Sequence, residues 1–563
     1  MLKIYALLYS SLLLGCVSSQ KSLPEASFGY LKYVGDDSFY RERIDVHHTY
    51  FNPVIKGYYP DPSVCRKGDT YYLVNSSFAY YPGIPIFKST DLVNWQQIGH
   101  VLNRPSQLNL DGLPISAGIY APAIEYNPHN DTFYLITTCV GGIHNFLVTS
   151  RNPEQGWSDP IVLPKVGGID PSLFFDDDGT AFIVHNDAPQ GMPLYDGHRA
   201  IWIHRFDTES NTTIGTPKMI VDGGVNISTK PIWIEGPHLY KINGSYFLMA
   251  AEGGTGSNHS EVIFRSDKPD GIFVPCHPNP ILTQRHLPPD RNDAVTCVGH
   301  ADIIRDTQGQ YWALFLGCLP YRSNLYNTGR ETFLLPVSWH DGSPVILDSN
   351  LPVPLKVDKD ILMPQEKKMT GNFKRDYRFQ SNGLDPELLM IRTPRNDFYR
   401  IGNGKLWLKP LSSSVNEISN PAFIGCRQYH ANFSLETELT FTINSENQFA
   451  GVVCFQNEKY RIDFGKCMID GISSLILVRV ADGQSKQIAL LPLSAQQNRL
   501  PIKLRIDGRG DFYTFSAFID SITTPFFSAP VDATHLSTEQ AGGFTGTVIG
   551  MYASSNHLIA PLD

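Results

Sequence analysis

Three carboxylic acids in this 563-residue chain stand at matched places of an internal repeat, each beside proline or glycine. They are Asp61 in Tyr-Pro-Asp-Pro, Asp170 in Gly-Ile-Asp-Pro and Glu235 in Ile-Glu-Gly-Pro. Carboxyl groups held close together push their pKa values apart, so that one stays protonated as a general acid while another is ionised as a general base. Such a pair is the usual minimum for hydrolysis of a glycosidic bond.

Each of these acids has a structural alternative when it is taken alone. Asp61 and Asp170 have the neighbours of ordinary turn residues, and a single His300 is most often a structural histidine. Glu235 lies in an apolar stretch, where an unpaired carboxylate is costly. The joint alignment of the carboxyls, and not any one residue, indicates a catalytic site.

The repeat that aligns them is a polar turn followed by an aromatic-rich strand. It occurs five times, with reference aromatics at Tyr72, Tyr134, Phe182, Phe247 and Trp312. Repeats of this length, with about four short strands each, are typical of propeller blades. They predict a five-bladed β-propeller over residues 45–365. One large irregular β-sandwich is the alternative, but it does not explain five equivalent turns.

A second set of equivalent positions lies 11 or 12 residues before each reference aromatic, at Asp61, Pro122, Asp170, Glu235 and His300. Innermost propeller strands meet at a central channel, so these residues are expected around one cavity. After the run Glu366-Lys-Lys the repeat stops. Alternating strands over residues 370–563 predict a second all-β domain, a β-sandwich.

Composition limits the partners of this chain. The net charge is -9 and only 18% of residues are charged, so no basic stripe offers a nucleic-acid surface. Eight cysteines follow Cys16 without a CxxC pair, which argues against a zinc site.

The N-terminus has the pattern of an export signal. Residues 1–20 read as a signal peptide whose Leu13-Leu-Gly-Cys16 resembles a lipobox. A lipid anchor through Cys16 and a periplasmic or cell-surface location are therefore expected. Ordinary cleavage near Ser18, followed by secretion, is the alternative.

Together, several segments resemble glycoside hydrolase family 43, in its pentose-releasing branch with a C-terminal sandwich. The segments are Asn52-Pro-Val-Ile-Lys-Gly-Tyr-Tyr-Pro-Asp61-Pro, Phe87-Lys-Ser-Thr-Asp-Leu-Val-Asn-Trp95, Gly168-Ile-Asp170-Pro, Ile234-Glu235-Gly-Pro-His, Gly299-His300-Ala-Asp and Gly329-Arg330-Glu-Thr-Phe. The resemblance implies that Asp61 is the general base, that Glu235 is the general acid, and that Asp170 tunes and orients the acid.

The resemblance also implies the residues that hold the terminal sugar. Phe78 and Arg330 match pocket residues, and Phe544 matches an aromatic side chain that a sandwich loop inserts into the pocket. His300 matches a channel histidine that reaches a calcium ion through water, which makes calcium the one expected cofactor. The segment Gly118-Ile-Tyr120-Ala-Pro-Ala departs from the family's Gly-Ile-Trp-Ala-Pro-His and puts a smaller aromatic, Tyr120, in the pocket wall.

The expected activity is exo-acting, inverting release of terminal β-D-xylose or α-L-arabinofuranose from hemicellulose-derived oligosaccharides or side chains. Three alternatives stay open: an endo-acting arabinan hydrolase, a retaining fructan-active propeller, and a non-catalytic sugar-binding propeller. The start Tyr-Pro-Asp61-Pro-Ser lacks the Asn-Asp-Pro-Asn-Gly-like sequence typical of fructan-active enzymes.

Overall fold

The computed structural model describes residues 24–381, 383–395, 397–519 and 523–557. The expected signal peptide and Cys16 lie outside these ranges. Within them, no helix has the length and apolar character needed to cross a membrane. The helices are Ala495–Arg499 and Thr538–Ala541, with short 3-10 turns at Phe39–Arg41, Ile227–Thr229 and Thr534–Leu536.

The first domain is built from sheets of strands that are consecutive in the chain. Sheet 1 contains Ser63–Lys67, Thr70–Val74, Gly83–Ser89 and Gln96–Leu102. Sheet 2 contains Gly118–Asn127, Thr132–Val140, His144–Ser150 and Ile161–Val162. Sheet 3 contains Ile169–Phe175, Ala181–Asp187, Ala200–Asp207 and Thr212–Asp222.

Two further sheets follow in the same order. Sheet 4 contains Glu235–Ile242, Ser245–Glu252, Ser260–Ser266, Val274–Pro275 and Leu282–Thr283. Sheet 5 contains Thr296–Arg305, Tyr311–Cys318 and Glu331–Pro336. The first strand of each sheet packs against the first strand of the next, and Thr296–Arg305 of sheet 5 returns to Ser63–Lys67 of sheet 1. The prediction of an all-β propeller followed by a sandwich is therefore confirmed.

A left-handed residue interrupts or precedes the first strand of each sheet and turns side chains toward the channel. These residues are Asp61, Ala121, Asp170, Gly236 and His300, with φ between +33° and +57°. Each stands four residues before the strand partner of its reference aromatic. Non-glycine residues seldom adopt this backbone, and such strain concentrates at functional sites.

This register corrects two positions of the sequence alignment. Ala121 and Gly236, rather than Pro122 and Glu235, are equivalent to Asp61, because the hairpins before the aromatics differ in length. Glu235 instead lies one residue earlier and corresponds to Tyr120. Residues from two successive positions therefore line the same cavity: Tyr120 and Glu235 at the first, and Asp61 and Ala121 at the second.

The second domain is a sandwich of two antiparallel sheets. One has the strand order Tyr399–Gly402, Lys405–Leu408, Ala26–Gly35, Asn432–Thr440, Ile502–Arg509, Phe512–Ile519 and Phe527–Asp532, with Lys374–Tyr377 also pairing to Ala26–Gly35. The other has the order Ala422–Arg427, Val548–Ser554, Phe449–Asn457, Tyr460–Ile469, Ile472–Ala481 and Gln484–Pro492. Strand Asn432–Thr440 alternates buried and half-buried residues, as expected of a strand with one face in the core.

The strand Ala26–Gly35 joins the sandwich although it precedes the propeller in the chain, a pairing that the sequence did not predict. Three short ribbons accompany the large sheets: Thr49–Phe51 with Lys356–Asp358, Tyr80–Tyr81 with Met390–Ile391, and Ser338–His340 with Ser343–Val345. The first ribbon joins the two ends of the propeller, and the second ties the propeller to the segment leading into the sandwich.

The two domains share one apolar core. A continuous cluster of buried residues runs from sheets 1 and 2 of the propeller into the sandwich. The buried Arg427 of the sandwich crosses this joint, donating a 2.7 Å hydrogen bond to the Tyr58 carbonyl and lying over the Tyr59 ring. This packing fixes the sandwich loops relative to the channel mouth.

Candidate active site

A cavity of about 510 Å³, called the main cavity because the three candidate carboxyls line it, opens where the first strands of the five sheets meet. Its lining includes every candidate residue from the sequence: Asp61, Phe78, Tyr120, Asp170, Glu235, His300, Arg330 and Phe544. The structure therefore brings together residues from sheets 1 to 5 and from the sandwich.

Asp61 lies in a cationic, hydrogen-bonded environment. Ser76 Oγ donates a 2.6 Å hydrogen bond to Asp61 Oδ2, and Arg330 Nη1 lies 3.3 Å from Oδ1. Burial alone would raise the pKa of Asp61, but Arg330, His300 and Ser76 together hold it below its usual value. Asp61 is therefore ionised at neutral pH, as a general base must be.

Glu235 lies in the opposite electrostatic environment. Burial, followed by the negative charge of Asp61, raises its pKa to about 7. Among the described residues, no side chain donates a hydrogen bond to its carboxyl group. Glu235 therefore holds a proton near neutral pH and can deliver it to a leaving oxygen.

Asp170 supports Glu235 through the backbone. Its Oδ2 accepts a 3.2 Å hydrogen bond from the Gly236 N–H, directly after Glu235. Burial raises the pKa of Asp170, and the charges of Glu235 and Asp61 raise it further. Because Asp170 and Glu235 influence each other, their protons are lost in steps that belong to the pair.

Two histidines on the cavity wall are neutral. Burial lowers the pKa of His300 to about 4 although Asp61 lies 3.7 Å away. We therefore assign the stabilisation of ionised Asp61 chiefly to Arg330, which is always charged. Burial also lowers the pKa of His259 to about 4, and its Nδ1 lies 2.9 Å from the Cys297 carbonyl oxygen. That contact makes Nδ1 the donor and leaves Nε2 as an acceptor.

Aromatic side chains form the remaining wall. Phe78 packs edge-on against Tyr120 at 5.0 Å and stacks with Phe544 at 5.9 Å, and Tyr120 meets Phe544 at 5.7 Å. The Arg330 guanidinium lies 5.6 Å from the centre of the Phe544 ring. These rings supply flat apolar surface beside the carboxyls, which is what binding the carbon face of a sugar requires.

The loop that carries Phe544 approaches the propeller more closely than side chains would allow. A Cβ on Gly543 would lie 2.3 Å from Ser116 Oγ, and Gly543 has φ +79°. A Cβ on Gly546 would lie 2.5 Å from the Thr328 carbonyl oxygen. The loop is pinned there, because Ser116 Oγ accepts a hydrogen bond from the Phe544 N–H at 3.1 Å.

Sequence reasoning missed several residues of this site. Ser76, which bonds Asp61, comes from the strand end after Thr70–Val74, and nothing in its neighbourhood distinguishes it from a turn serine. Arg199, Trp233 and His259 also line the cavity. The tryptophan in Ile-Trp-Ile-Glu235 was the one available signal, because it lies two residues before the general-acid candidate.

The side chains around His300 do not fit a directly coordinated calcium ion. In the described ranges, no three His, Cys, Asp or Glu side chains come together as a metal site. Calcium prefers six to eight oxygen ligands, and the two carboxylates that act on His300 are already engaged: Asp61 by Arg330 and Ser76, and Asp302 by Ser63 and Tyr240. A water-mediated contact at His300 stays a prediction, and no chemical step is assigned to it.

Comparison with known proteins agrees with this geometry. Residues 50–344 match the family model described as glycosyl hydrolases family 43, and residues 376–559 match a beta xylosidase C-terminal concanavalin A-like domain. A xylosidase/arabinosidase of Butyrivibrio fibrisolvens is 36% identical over 90% of this chain and 96% of its own length. A non-reducing end alpha-L-arabinofuranosidase of Bacteroides ovatus is 34% identical over 90% and 92% of the two chains.

Solved structures share the whole two-domain arrangement. A GH43_12 protein retrieved from the capybara gut metagenome superposes with a TM-score of 0.86 at 42% identity, covering 94% of this chain and 100% of the other. A xylan beta-1,4-xylosidase from Bacillus halodurans superposes with a TM-score of 0.80 at 28% identity over 90% and 97%. The chain therefore belongs to glycosyl hydrolases family 43 and is a glycosidase built from a propeller and a concanavalin A-like sandwich.

Proposed function

We propose that this glycosidase removes single terminal pentose units, β-D-xylose or α-L-arabinofuranose, from hemicellulose-derived oligosaccharides or side chains. The observation that carries the proposal is the opposite tuning of two carboxyls in one cavity. The pKa of Asp61 is lowered and that of Glu235 is raised to about 7. The names of relatives, a xylosidase/arabinosidase and an arabinofuranosidase, support the choice of pentose.

In the proposed mechanism, Asp61 takes a proton from a water molecule as that water attacks the anomeric carbon. Glu235 gives its proton to the glycosidic oxygen, so the bond to the leaving sugar breaks as the new bond forms. Asp170 keeps Glu235 in position through Gly236. Arg330 and the aromatic wall hold the terminal sugar between the two carboxyls.

An exo mode is supported by the covering of the cavity. Phe544 and its loop lie across one side of the mouth, with Phe544 bound to Ser116 and Arg330. An endo-acting enzyme needs a groove open at both ends. A non-catalytic binding protein has no need for a carboxyl with a raised pKa beside one with a lowered pKa.

Hydrolysis of 4-nitrophenyl β-D-xyloside and 4-nitrophenyl α-L-arabinofuranoside tests the proposal. We expect turnover of at least one, with monosaccharide as the product released from the matching oligosaccharide. Release of longer products would favour the endo alternative. No turnover of either compound, together with tight oligosaccharide binding, would favour a binding protein.

Inversion is part of the proposal, since Asp61 is assigned to water and not to the sugar. Proton NMR at early times should show product of the opposite anomeric configuration to the substrate. Early product with retained configuration would instead make one of the carboxyls a nucleophile and contradict the role given to Asp61.

We also propose export with a lipid anchor through Cys16, motivated by Leu13-Leu-Gly-Cys16. In a bacterial host, the full chain should fractionate with membranes and take up labelled fatty acid, and Cys16→Ala should do neither. If the full chain and Cys16→Ala are both found in the soluble fraction without fatty-acid label, ordinary secretion is favoured.

A further inference from the structure

A second cavity adjoins the main cavity on the side of the general-acid candidate. This outer groove, of about 550 Å³, is lined by residues that include Pro193, Leu194, Tyr195, Arg199 and Trp233. Arg199 and Trp233 also line the main cavity. The two cavities therefore share a wall, and a ligand that leaves one past Trp233 enters the other.

The shared wall combines the charged Arg199 with the ring of Trp233. The Arg199 guanidinium lies 4.1 Å from the centre of the Trp233 ring. Trp233 has a left-handed backbone, with φ +49°, and its N–H donates a 2.9 Å hydrogen bond to the Gly197 carbonyl. Non-glycine residues seldom adopt this backbone, and such strain concentrates at functional sites.

Arg199 keeps its donors free. In the described part of the chain, no hydrogen bond or ion pair engages its guanidinium, which is only partly buried. A planar group with five N–H donors beside a tryptophan ring is well suited to hydroxyl oxygens of a sugar. Its charge also acts on Glu235, lowering the pKa that burial and Asp61 raise.

The outer groove presents apolar surface to solvent. Leu194, which lines the groove, is 72% exposed, and Met192, two residues earlier and outside the lining, is 88% exposed. Exposed apolar surface concentrated beside a cleft marks a binding surface. The occupant follows from the proposed chemistry: a general acid protonates the leaving oxygen, so the sugars beyond the scissile bond must lie on the Glu235 side.

We propose that the outer groove binds the leaving-group part of the substrate, two or more sugar units beyond the scissile bond. The groove then makes the enzyme prefer pentose units at the ends of longer saccharides over those of disaccharides. This inference rests on the proposed function, because it takes Glu235 as the acid.

The test compares kcat/KM on two kinds of substrate: the 4-nitrophenyl pentoside that the enzyme hydrolyses, and an oligosaccharide series of the same pentose with two to five units. For the wild-type enzyme, we expect kcat/KM to rise at least fivefold from disaccharide to tetrasaccharide. For Leu194→Ser and for Trp233→Ala, the ratio of kcat/KM on the tetrasaccharide to kcat/KM on the aryl pentoside should fall at least fivefold. Leu351→Ser, an exposed leucine that lines neither cavity, is the matched control and should leave the ratio unchanged.

The possible failures are distinguishable. If the wild-type kcat/KM does not change with chain length, the inference that the outer groove binds the leaving-group sugars is overturned. The same holds if the groove variants lose activity equally on both substrate types. Neither result affects the proposed function, which the aryl pentoside reports separately. If the wild-type enzyme hydrolyses no pentoside of either kind, the proposed function fails and the groove inference fails with it.

Discussion

Phe544 of the sandwich stacks on Phe78 of the propeller, with ring centres 5.9 Å apart and planes 22° from parallel. The backbone carbonyl of Phe544 also lies 3.5 Å from Arg330 Nη2, and Arg330 in turn faces Asp61. One loop of the second domain thus completes the aromatic wall and contacts Arg330, the cation beside Asp61. The sandwich therefore contributes Phe544 to the lining of the candidate active site as well as packing against the propeller.

Phe544→Ala should damage catalysis more than folding. The ring is only half-buried and packs on the cavity wall, so its loss leaves the sandwich core intact. We expect kcat/KM on the aryl pentoside to fall about 10- to 100-fold, because the terminal sugar is held less firmly. The melting temperature should change by no more than about 3 °C.

Phe515→Ala is the matched control, since Phe515 is fully buried in the sandwich, 5.4 Å from Phe464. A Phe→Ala change in a core costs about 3–5 kcal/mol, so this variant should melt many degrees lower. The reverse pattern, with Phe544→Ala unstable but kinetically normal, would reduce the loop to a structural element.

The sequence repeat made the propeller predictable, but it did not determine which residues of the first strands are structurally equivalent. Aromatics such as Tyr72 and Phe247 do occupy equivalent ladder positions. The count back to the channel failed because hairpin turns vary, with two residues between Lys67 and Thr70 but four between Asn127 and Thr132. Turn length is set locally, and a count along the sequence cannot detect it.

Site residues recognised by motif were easier to find than those that act by proximity alone. Asp61 and Glu235 carry distinctive neighbours in the sequence. Ser76 and Arg199 do not, because their importance comes from the strand ends that bring them beside a carboxyl. The sandwich strand Ala26–Gly35 was missed for a similar reason: its partners lie several hundred residues later.

The two carboxyls with proposed catalytic roles, Asp61 and Glu235, should respond differently to amide substitution. Glu235→Gln removes proton donation to the leaving oxygen, so kcat/KM on oligosaccharides should fall by about 10²- to 10⁴-fold. A good leaving group such as 4-nitrophenolate needs little protonation, so kcat/KM on the aryl pentoside should fall much less. Steady-state kinetics on both substrate types gives the comparison.

Asp61→Asn is the control for this comparison. It removes activation of water, so kcat/KM should fall to a similar degree on both substrate types. Equal losses on activated and natural substrates for Glu235→Gln would remove the acid assignment. If Glu235→Gln reduced both activities equally while Asp61→Asn spared the aryl pentoside, the two roles would be exchanged.

The pH profile of kcat/KM should be flat between two limits. Asp61 works when ionised, and Arg330 and Ser76 hold its pKa below the usual value of an aspartate, so the acid limit of the profile should lie below the ordinary range of an Asp carboxyl. Glu235 works when protonated, and its pKa is about 7, so activity falls as pH rises through that value. On the aryl pentoside, Glu235→Gln should abolish the alkaline limit and keep the acid one. An alkaline limit that survives this substitution would belong to another group.

Ser76→Ala should move the acid limit and leave the alkaline limit in place. The hydroxyl donates to Asp61 Oδ2 at 2.6 Å and accepts from the Ala121 N–H at 2.7 Å. Hydrogen bonds to charged groups contribute about 1.5–3 kcal/mol, and about 1.4 kcal/mol corresponds to one pKa unit. Without the hydroxyl the pKa of Asp61 rises, so the acid limit should shift upward by about one pH unit.

Ser77→Ala is the matched control for this shift. Ser77 is equally buried and adjacent in sequence, but its hydroxyl accepts from the Ile84 N–H at 3.0 Å and is not bonded to Asp61. Both variants lose a buried acceptor and should lose comparable stability, about 1–3 kcal/mol. Only Ser76→Ala should shift the acid limit, because only Ser76 bonds the ionised carboxyl. An acid limit that stays in place in Ser76→Ala, or moves equally in both variants, would mean that Asp61 does not control it.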